Sequence, residues 1–188
     1  MKPEIVQAAA SIGVPARALA AVIAVESAGN GLVAGRPVIR VEAHLLWRAV
    51  SVEQRPLVDA RFRVVGPKPW QGHLLDGKPY HGHQDREWDA YRVAYGIDIE
   101  AAVRSTSWGA GQVLGAWRGL GYASREAFLL AQQTEAGQVD TMARFLRVHG
   151  LAAPLARLDW PTVARGYNGS GQVDYYAGRL ADAYDRAA

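Results

Sequence analysis

Apolar residues recur with the period of an α-helix along most of the chain. Leu19, Val22 and Ile23 fall on one face of a predicted helix over residues 15–27, and Glu26 lies one turn further along that face. A proline suits the start of this helix, and the Gly/Asn-rich run after it suits its end. Similar spacing predicts further helices over residues 3–12, 42–50, 84–95, 99–105, 109–113, 124–130, 134–149, 160–167 and 175–186.

The helical pattern is interrupted in the first half of the chain. Residues 37–41 favour a short strand, and residues 66–82 contain four glycines and three prolines, with Trp70 and Tyr80 near the two ends. This composition predicts a loop or a small hairpin. The sequence therefore predicts a mainly α protein, a compact helical domain with a small β-leaning insertion near residues 32–83.

Composition excludes several classes of protein. A hydrophobic content of 49% is too high for a disordered chain. The absence of cysteine excludes disulfides, a thiol nucleophile, thiolate metal sites and iron–sulfur clusters. The longest apolar stretch, residues 18–25, is too short to span a bilayer, and residues 1–4 do not lead into a signal-peptide pattern. We therefore expect no stable membrane insertion and no signal peptide.

The charge balance is mildly basic. The chain has 21 basic and 18 acidic residues, a net charge of +3, and only three of the basic residues are lysine. The arginines are scattered, without a run of five or more, which argues against a nucleic-acid-binding tail. An anionic polymer remains compatible with this charge because arginine pairs well with carboxylates and phosphates.

Glu26 is the first candidate for chemistry. It lies on the apolar face of its helix, beside the Gly/Asn-rich turn. Apolar surroundings raise the pKa of a carboxyl group, and a carboxyl that keeps its proton is what a general acid for glycosidic cleavage needs. The alternative is an ordinary glutamate at a helix end that points to water.

Glu42 is the second candidate. It follows the strand-like residues 38–41 and precedes a predicted helix. If that strand packs beside the end of the Glu26 helix, the two carboxyl groups face each other across a cleft. Such groups lie about 5–5.5 Å apart in retaining glycosidases and about 6.5–9.5 Å apart in inverting ones. The alternative is that Glu42 caps the following helix.

Two later segments combine glycines with groups that hold sugars. Residues 107–115 contain Trp108 and Gln112, and residues 167–171 begin with Tyr167 and Asn168. Aromatic faces and amides bind sugar rings and N-acetyl groups. The alternatives are a buried tryptophan at a tight turn and an Asn-Gly helix stop.

These segments together resemble the lysozyme-like superfamily, which includes lytic transglycosylases and goose-type lysozymes. The resemblance is closer to the N-acetylmuramidase domain of modular phage endolysins, and it runs from about residue 15 to the C-terminus. That domain has the motifs V-E-S, G-R-P-V-I-x-x-E-x-H, S-W-G-x-x-Q-x-x-G and R-G-Y-N-G, which match residues 25–27, 35–44, 107–115 and 165–169.

The resemblance implies roles for individual residues. Glu26 would be the general acid and Glu42 the second catalytic carboxylate. Gln112, Tyr167 and Asn168 would line the saccharide groove.

We also expect Trp108 to hold the glycan. Trp70, Tyr80 and His81 are candidate contributors from the loop.

The chain departs from the family pattern in three places. The interval between the two glutamates is one residue shorter than expected, and Arg40 and Val41 replace the usual Leu-Phe before Glu42. Residues 66–82 also differ from the Gly/Ser-rich stretch of the family.

The histidines allow a rival interpretation. His73, His81, His83 and Asp85 cluster within 13 residues and could ligate zinc, as a metalloamidase or metallopeptidase would require. No H-E-x-x-H motif is present, and loop histidines on a cleft rim are the preferred interpretation. We therefore expect neither a metal nor an organic cofactor.

Two further alternatives share either the fold or the sugar-binding groove with this interpretation. A lytic transglycosylase would use one carboxyl group and give 1,6-anhydro products, whereas Glu42 in its motif favours hydrolysis. A non-catalytic wall-binding or phage structural module would keep the aromatic groove without needing Glu26.

The resulting expectation is a glycoside hydrolase that cleaves the β-1,4 bond between N-acetylmuramic acid and N-acetylglucosamine. Residues 1–188 would form one catalytic domain without a separate peptidoglycan-binding module. We expect a monomer whose partner is the glycan strand of peptidoglycan, not nucleic acid. By analogy with endolysins, it would wait in the host cytoplasm until a holin-type factor releases it to the wall.

Overall fold

The computed structural model describes residues 1–27, 31–64, 72–74 and 76–187, and most of these residues are helical. The helices are α1 (Pro3–Ser11), α2 (Ala16–Ser27), α3 (Ala43–Ala49), α4 (Arg55–Arg61), α5 (Gln84–Ile97), α6 (Ile99–Arg104), α7 (Arg125–Ala131), α8 (Glu135–Val148), α9 (Ala152–Ala156), α10 (Trp160–Asn168) and α11 (Val173–Arg186). Short 3₁₀ turns precede α4 (Val52–Gln54) and α11 (Ser170–Gln172).

The strands are short and antiparallel. They are β1 (Leu32–Val33), β2 (Arg36–Pro37), β3 (Ile39–Val41), β4 (Phe62–Val64), β5 (Gly72–Leu74), β6 (Thr106–Trp108) and β7 (Val113–Leu114). β1 pairs with β2, β4 pairs with β5, and a three-stranded sheet has the order β3-β6-β7. In that sheet Val41 lies opposite Thr106, so the strand that leads to Glu42 is paired with the segment before the glycine-rich loop.

Helix α2 lies at the centre of the helical packing. Leu19 and Val22 on its apolar face are fully buried. Helices α1, α9 and α11 contact α2, and α11 also packs along α10. Burial of a leucine or valine side chain contributes roughly 1.5–3 kcal/mol, so this packing holds the C-terminal end of α2 firmly. Glu26 lies at that end.

Local signals predicted most of the helices to within one or two residues at most ends. Gly13, after α1, has a positive φ of +69°, a conformation that glycine adopts without steric cost. The predicted hairpin within residues 66–82 corresponds in part to the β4–β5 pair, and residues 65–71 and 75 lie outside the described part of the chain. Helices α4 and α9 were not predicted.

The predicted helix over residues 109–113 is wrong. Gly109 and Gln112 have positive φ values of +67° and +46°, which a right-handed helix does not contain. These residues form a turn between β6 and β7. The β structure therefore extends beyond the predicted insertion at residues 32–83, and that insertion itself contains α3 and α4.

Within the described ranges, no one helix has both the length and the apolar character needed to cross a membrane. The consecutive segments Pro3–Ser11 and Ala16–Glu26 reach those limits only when taken together, with a bend of 111° between them.

Candidate active site

Glu26 lies on the last turn of α2 with its carboxyl group partly buried. Burial raises the pKa of this carboxyl above its ordinary value of 4.5. Two neighbours act in the opposite direction: the Asn168 amide donates a hydrogen bond of 3.0 Å to Glu26 Oε1, and the positive charge of Arg179 favours the ionised form. Burial dominates, so Glu26 keeps its proton to a higher pH than a solvated glutamate.

The end of α10 places two of the predicted groove residues beside Glu26. Asn168 is the last residue of α10, and Gly169 ends the helix with a φ of +83°. Next to it, Tyr167 donates a hydrogen bond of 2.8 Å from its hydroxyl to the carbonyl oxygen of Gly111. Burial, and then the nearby Glu26 charge, raise the pKa of Tyr167 well above its usual range. Tyr167 is therefore a neutral donor that ties α10 to the loop between β6 and β7.

The Asn168 amide has one polar atom to spare. Its nitrogen bonds to Glu26, but its oxygen Oδ1 is buried and has no hydrogen-bond partner among the described residues. A buried acceptor without a partner is costly, so such atoms usually bind a ligand or a water molecule. A hydroxyl or N–H group of a substrate would satisfy it.

The glycines of residues 109–115 are explained by close packing. A Cβ atom on Gly109 would lie 2.7 Å from the side chain of Gln138, and one on Gly111 would lie 2.3 Å from Met142. A Cβ on Gly115 would lie 2.0 Å from the backbone oxygen of Val103. The loop can approach α8 and α6 this closely only because these positions have no side chain.

Gln138 connects the loop to the segment after α2, a role that no pattern in the sequence indicated. Its side chain is 1% exposed. It accepts a hydrogen bond of 2.8 Å from the backbone N–H of Ala110 and donates one of 3.0 Å to the carbonyl oxygen of Gly31. Gly31 also accepts a hydrogen bond from Val38, which leads into β3. One buried amide therefore joins the three segments that surround the site.

Glu42 is held by ionic contacts and does not cap its helix. It occupies the N-cap position of α3, yet its side chain makes no capping hydrogen bond. Instead, Arg40 Nε donates a 2.9 Å hydrogen bond to Glu42 Oε1, and His44 Nδ1 lies 3.6 Å from Oε2. The carboxyl side chain remains 18% exposed. The capping alternative is therefore excluded, and the family departure at Arg40 supplies a direct partner of Glu42.

A buried acid on α5 fixes the strand that carries Arg40. Glu87 is 2% exposed, and its Oε2 accepts a 2.9 Å hydrogen bond from the backbone N–H of Val41. Its other oxygen lies 2.7 Å from Nδ1 of His81. Glu87 was missed because a glutamate in the first turn of a predicted helix normally indicates a solvated, dipole-compensating position. His81 Nδ1 is accordingly engaged with Glu87, and a contact of His81 with a glycan stays a prediction.

Trp108 lies in the hydrophobic core, and the expectation that it holds the glycan needs correction. Its side chain is 2% exposed, its Nε1 donates to the backbone oxygen of Val103, and Trp88, Tyr91 and Phe128 pack edge-on against it. No face is left for a sugar ring.

Tyr80, the loop tyrosine considered as a contributor, is also fully buried. Trp70 lies outside the described residues.

Gln112 is half-buried in the turn between β6 and β7. Its left-handed backbone is unusual for a residue with a side chain and costs about 1 kcal/mol or more. Its Nε2 donates a 3.0 Å hydrogen bond to the carbonyl oxygen of Gly109, which orients the amide along the turn. Its contact with a glycan stays a prediction.

The described residues contain no group of three or more His, Asp and Glu side chains arranged to hold a metal ion. The His73 side chain, one member of the rival zinc cluster, lies outside that description.

Comparisons with known proteins identify the family of the chain. Residues 15–188 match the family model described as N-acetylmuramidase. A crystal structure of a Burkholderia AP3 phage endolysin aligns with a TM-score of 0.77 and 30% sequence identity, covering 98% of this chain and 68% of that one. The search of curated protein sequences gave no match. The chain belongs to the N-acetylmuramidase family of peptidoglycan hydrolases.

Proposed function

We propose that this protein hydrolyses the β-1,4 bond between N-acetylmuramic acid and N-acetylglucosamine, with Glu26 as the general acid. The observation that carries the proposal is the environment of Glu26. It is a partly buried carboxyl with a raised pKa, hydrogen-bonded to the side chain of a family motif. A group in this state holds a proton at the pH where an ordinary glutamate has lost it.

In the proposed reaction, Glu26 transfers its proton to the glycosidic oxygen as the bond from that oxygen to the muramic acid C1 breaks. The Asn168 amide orients the carboxyl and stabilises the carboxylate that forms, because its N–H already donates to Oε1. Activity should fall as the pH rises through the raised pKa of Glu26, since the deprotonated group has no proton to give.

Glu42 would act on the attacking water or on the sugar ring, and not on the leaving oxygen. It either activates the attacking water or stabilises the positive charge that develops on the sugar ring. Its partial exposure and its pairing with Arg40 and His44 fix the direction of the carboxylate without removing it from solvent. The stereochemical outcome follows from which of these two roles Glu42 fulfils.

The groove would be lined by Gln112, Tyr167 and Asn168. The unpartnered Oδ1 of Asn168 supports this assignment because a sugar hydroxyl or an acetamido N–H group would supply the missing hydrogen bond. Tyr167 would mainly hold the loop between β6 and β7 in place, since its hydroxyl donates a hydrogen bond to the carbonyl oxygen of Gly111.

We also propose a setting in phage-driven host lysis, which rests on the similarity to a phage endolysin. The protein would accumulate in the host cytoplasm and reach the wall after a holin-type factor opens the membrane. We further propose that residues 1–188 act as a monomer and form one catalytic domain. A test is whether the purified chain alone clears a suspension of isolated sacculi.

Mass spectrometry of the muropeptides released from purified sacculi tests the reaction type. Hydrolysis adds one water across the cleaved bond, so we expect products with a free reducing muramic acid. Products lighter by one water, the 1,6-anhydro form, would identify a lytic transglycosylase instead and overturn the hydrolase proposal. Release of N-acetylglucosamine at the reducing end would show that the wrong β-1,4 bond was chosen.

A further inference from the structure

A cleft of about 950 Å³ lies between the end of α10 and the start of α11. Arg165 lines it from α10, and Tyr175 and Arg179 line it from α11. Tyr175 is 59% exposed, and the Arg179 guanidinium lies 5.8 Å from the centre of its ring. The cleft therefore combines two cations with an exposed aromatic face.

The two arginines form no close ion pair in the described part of the chain. At longer range the charge of Arg165 acts on Asp159, and that of Arg179 acts on Glu26. Both are exposed, and neither forms a salt bridge or a hydrogen bond with another described residue. One acidic residue, Asp174, also lines the cleft, but it does not pair with either guanidinium. Among the side chains that line the cleft, two are positively charged and one is negatively charged. Exposed guanidinium groups gathered in a concave site suit an anionic ligand.

The cleft adjoins the proposed catalytic residue. Arg165 lies one helical turn before Asn168, whose amide bonds to Glu26. Arg179 lies close enough to Glu26 for its charge to favour the ionised form of that carboxyl. A ligand group in the cleft is therefore a neighbour of the reacting sugars.

We propose that this cleft binds a free carboxylate of the peptide stem on the muramic acid next to the cleaved bond. The inference rests on the proposed function. The sugar rings of the glycan strand are uncharged, and the carboxylates of peptidoglycan belong to its peptide stems. A planar guanidinium pairs with a carboxylate through two parallel N–H···O bonds, and Tyr175 offers a flat surface to the peptide backbone beside it.

The test compares two substrates that differ only in the charge of the stems. Soluble glycan strands have their stem amines acetylated and their stem carboxyls either left free or converted to methylamides. The variants are Arg165→Gln and Arg179→Gln. Arg186→Gln is the matched control, since Arg186 is exposed on α11 two turns beyond Arg179 and does not line the cleft. The readout is kcat and KM for the release of reducing ends.

We expect the wild type to show a KM about tenfold higher on the methylamide substrate, the size of a lost charge-assisted pair. Arg165→Gln should raise KM by a similar factor on the free-carboxyl substrate and leave KM on the methylamide substrate unchanged. Arg186→Gln should match the wild type on both. Equal KM values of the wild type on the two substrates, or equal losses by Arg165→Gln on both, would overturn the proposal.

Arg179→Gln carries a second, separable effect. Removing its charge raises the pKa of Glu26 further, so the alkaline limit of activity should move to higher pH on both substrates. Glu26→Gln distinguishes failure of the cleft from failure of the proposed function. If Glu26→Gln is inactive on both substrates and the arginine variants lose equally on both, the proposed role of the cleft is wrong and the proposed function stands. If Glu26→Gln is fully active, the proposed function itself is wrong.

Discussion

The burial of Glu26 favours its proposed role as an acid but lowers the stability of the folded protein at neutral pH. Burial at the end of α2 disfavours the ionised carboxylate, and the Asn168 amide and the Arg179 charge offset only part of that effect. The folded protein therefore binds the Glu26 proton more tightly than the unfolded chain does. Strain of this kind is common at catalytic positions, where activity and stability make opposite demands.

This conflict predicts the pH dependence of stability for Glu26→Gln. Above the ordinary pKa of 4.5 the unfolded wild type has lost a proton that the folded protein still holds, so the free energy of unfolding falls as the pH rises through the folded pKa. Glutamine keeps the acceptor for Asn168 and does not titrate. We therefore expect Glu26→Gln to gain stability relative to the wild type as the pH rises, and to be at least as stable at about pH 7. Urea unfolding over a pH series measures the difference.

Glu126→Gln is the matched control for this series. Glu126 is exposed at the start of α7, and its own backbone N–H, together with Arg125 and Ser124, lowers its pKa. Glu126→Gln should therefore lose stability relative to the wild type as the pH rises, whereas Glu26→Gln should gain it. A Glu26→Gln variant that loses stability relative to the wild type with rising pH would contradict the burial-dominated pKa of Glu26.

At the scale of elements, the loop between β6 and β7 is organised by Gln138 and not by local sequence preference. The Gln138 side chain occupies the space beside Gly31 and Gly109, so strong glycine signals in the motif reflect a partner on α8. Apolar spacing over residues 109–113 predicted a helix because it carries no information about this partner. Tertiary packing decided the backbone conformation of the loop.

A double-mutant cycle between Gly31 and Gln138 tests this packing. A Cβ atom on Gly31 would lie 1.8 Å from Gln138 Oε1, so Gly31→Ala should destabilise the wild type by about 2 kcal/mol. Gln138→Ala should cost about 2–4 kcal/mol, because Ala110 and Gly31 lose buried hydrogen bonds. In the Gln138→Ala background the clash with Gln138 is gone and a tight contact of 3.0 Å with the Ala110 Cβ stays, so Gly31→Ala should cost less than it does in the wild type.

Chemical denaturation of the four proteins measures the coupling. Strict additivity of the two substitutions would show that Gly31 is required for another reason. Gly13→Ala is a useful comparison, since no atom lies near its Cβ position and its cost should reflect the positive φ alone, independent of Gln138.

At the scale of the whole molecule, the sequence predicted what is encoded locally and missed what depends on distant partners. The helices around α2 and the positions of Glu26 and Asn168 followed from periodicity and motif. Glu87 and Gln138 were missed because their hydrogen-bond partners lie 46 and 107 residues away. Trp108 was misassigned because an aromatic residue among glycines has the same sequence pattern in a groove and in a core.

Long-range contacts also connect the segments that form the site. Gln138 joins the segment after α2 to the glycine-rich loop, Tyr167 joins that loop to α10, and Glu87 holds β3 from α5. Glu26 and Glu42 therefore lie on segments that pack against the same core. This arrangement fits the fold shared with the phage endolysin, with a TM-score of 0.77 at 30% identity.

The central claim is that the Glu26 proton drives cleavage of the glycan strand. The most direct test is the rate of reducing-end release from purified sacculi by the wild type and Glu26→Gln, with circular dichroism showing that both are folded. We expect the variant to lose at least about 10³-fold in kcat, the scale expected for removing a general acid, while still binding sacculi. A Glu26→Gln protein that releases reducing ends as fast as the wild type would contradict the account.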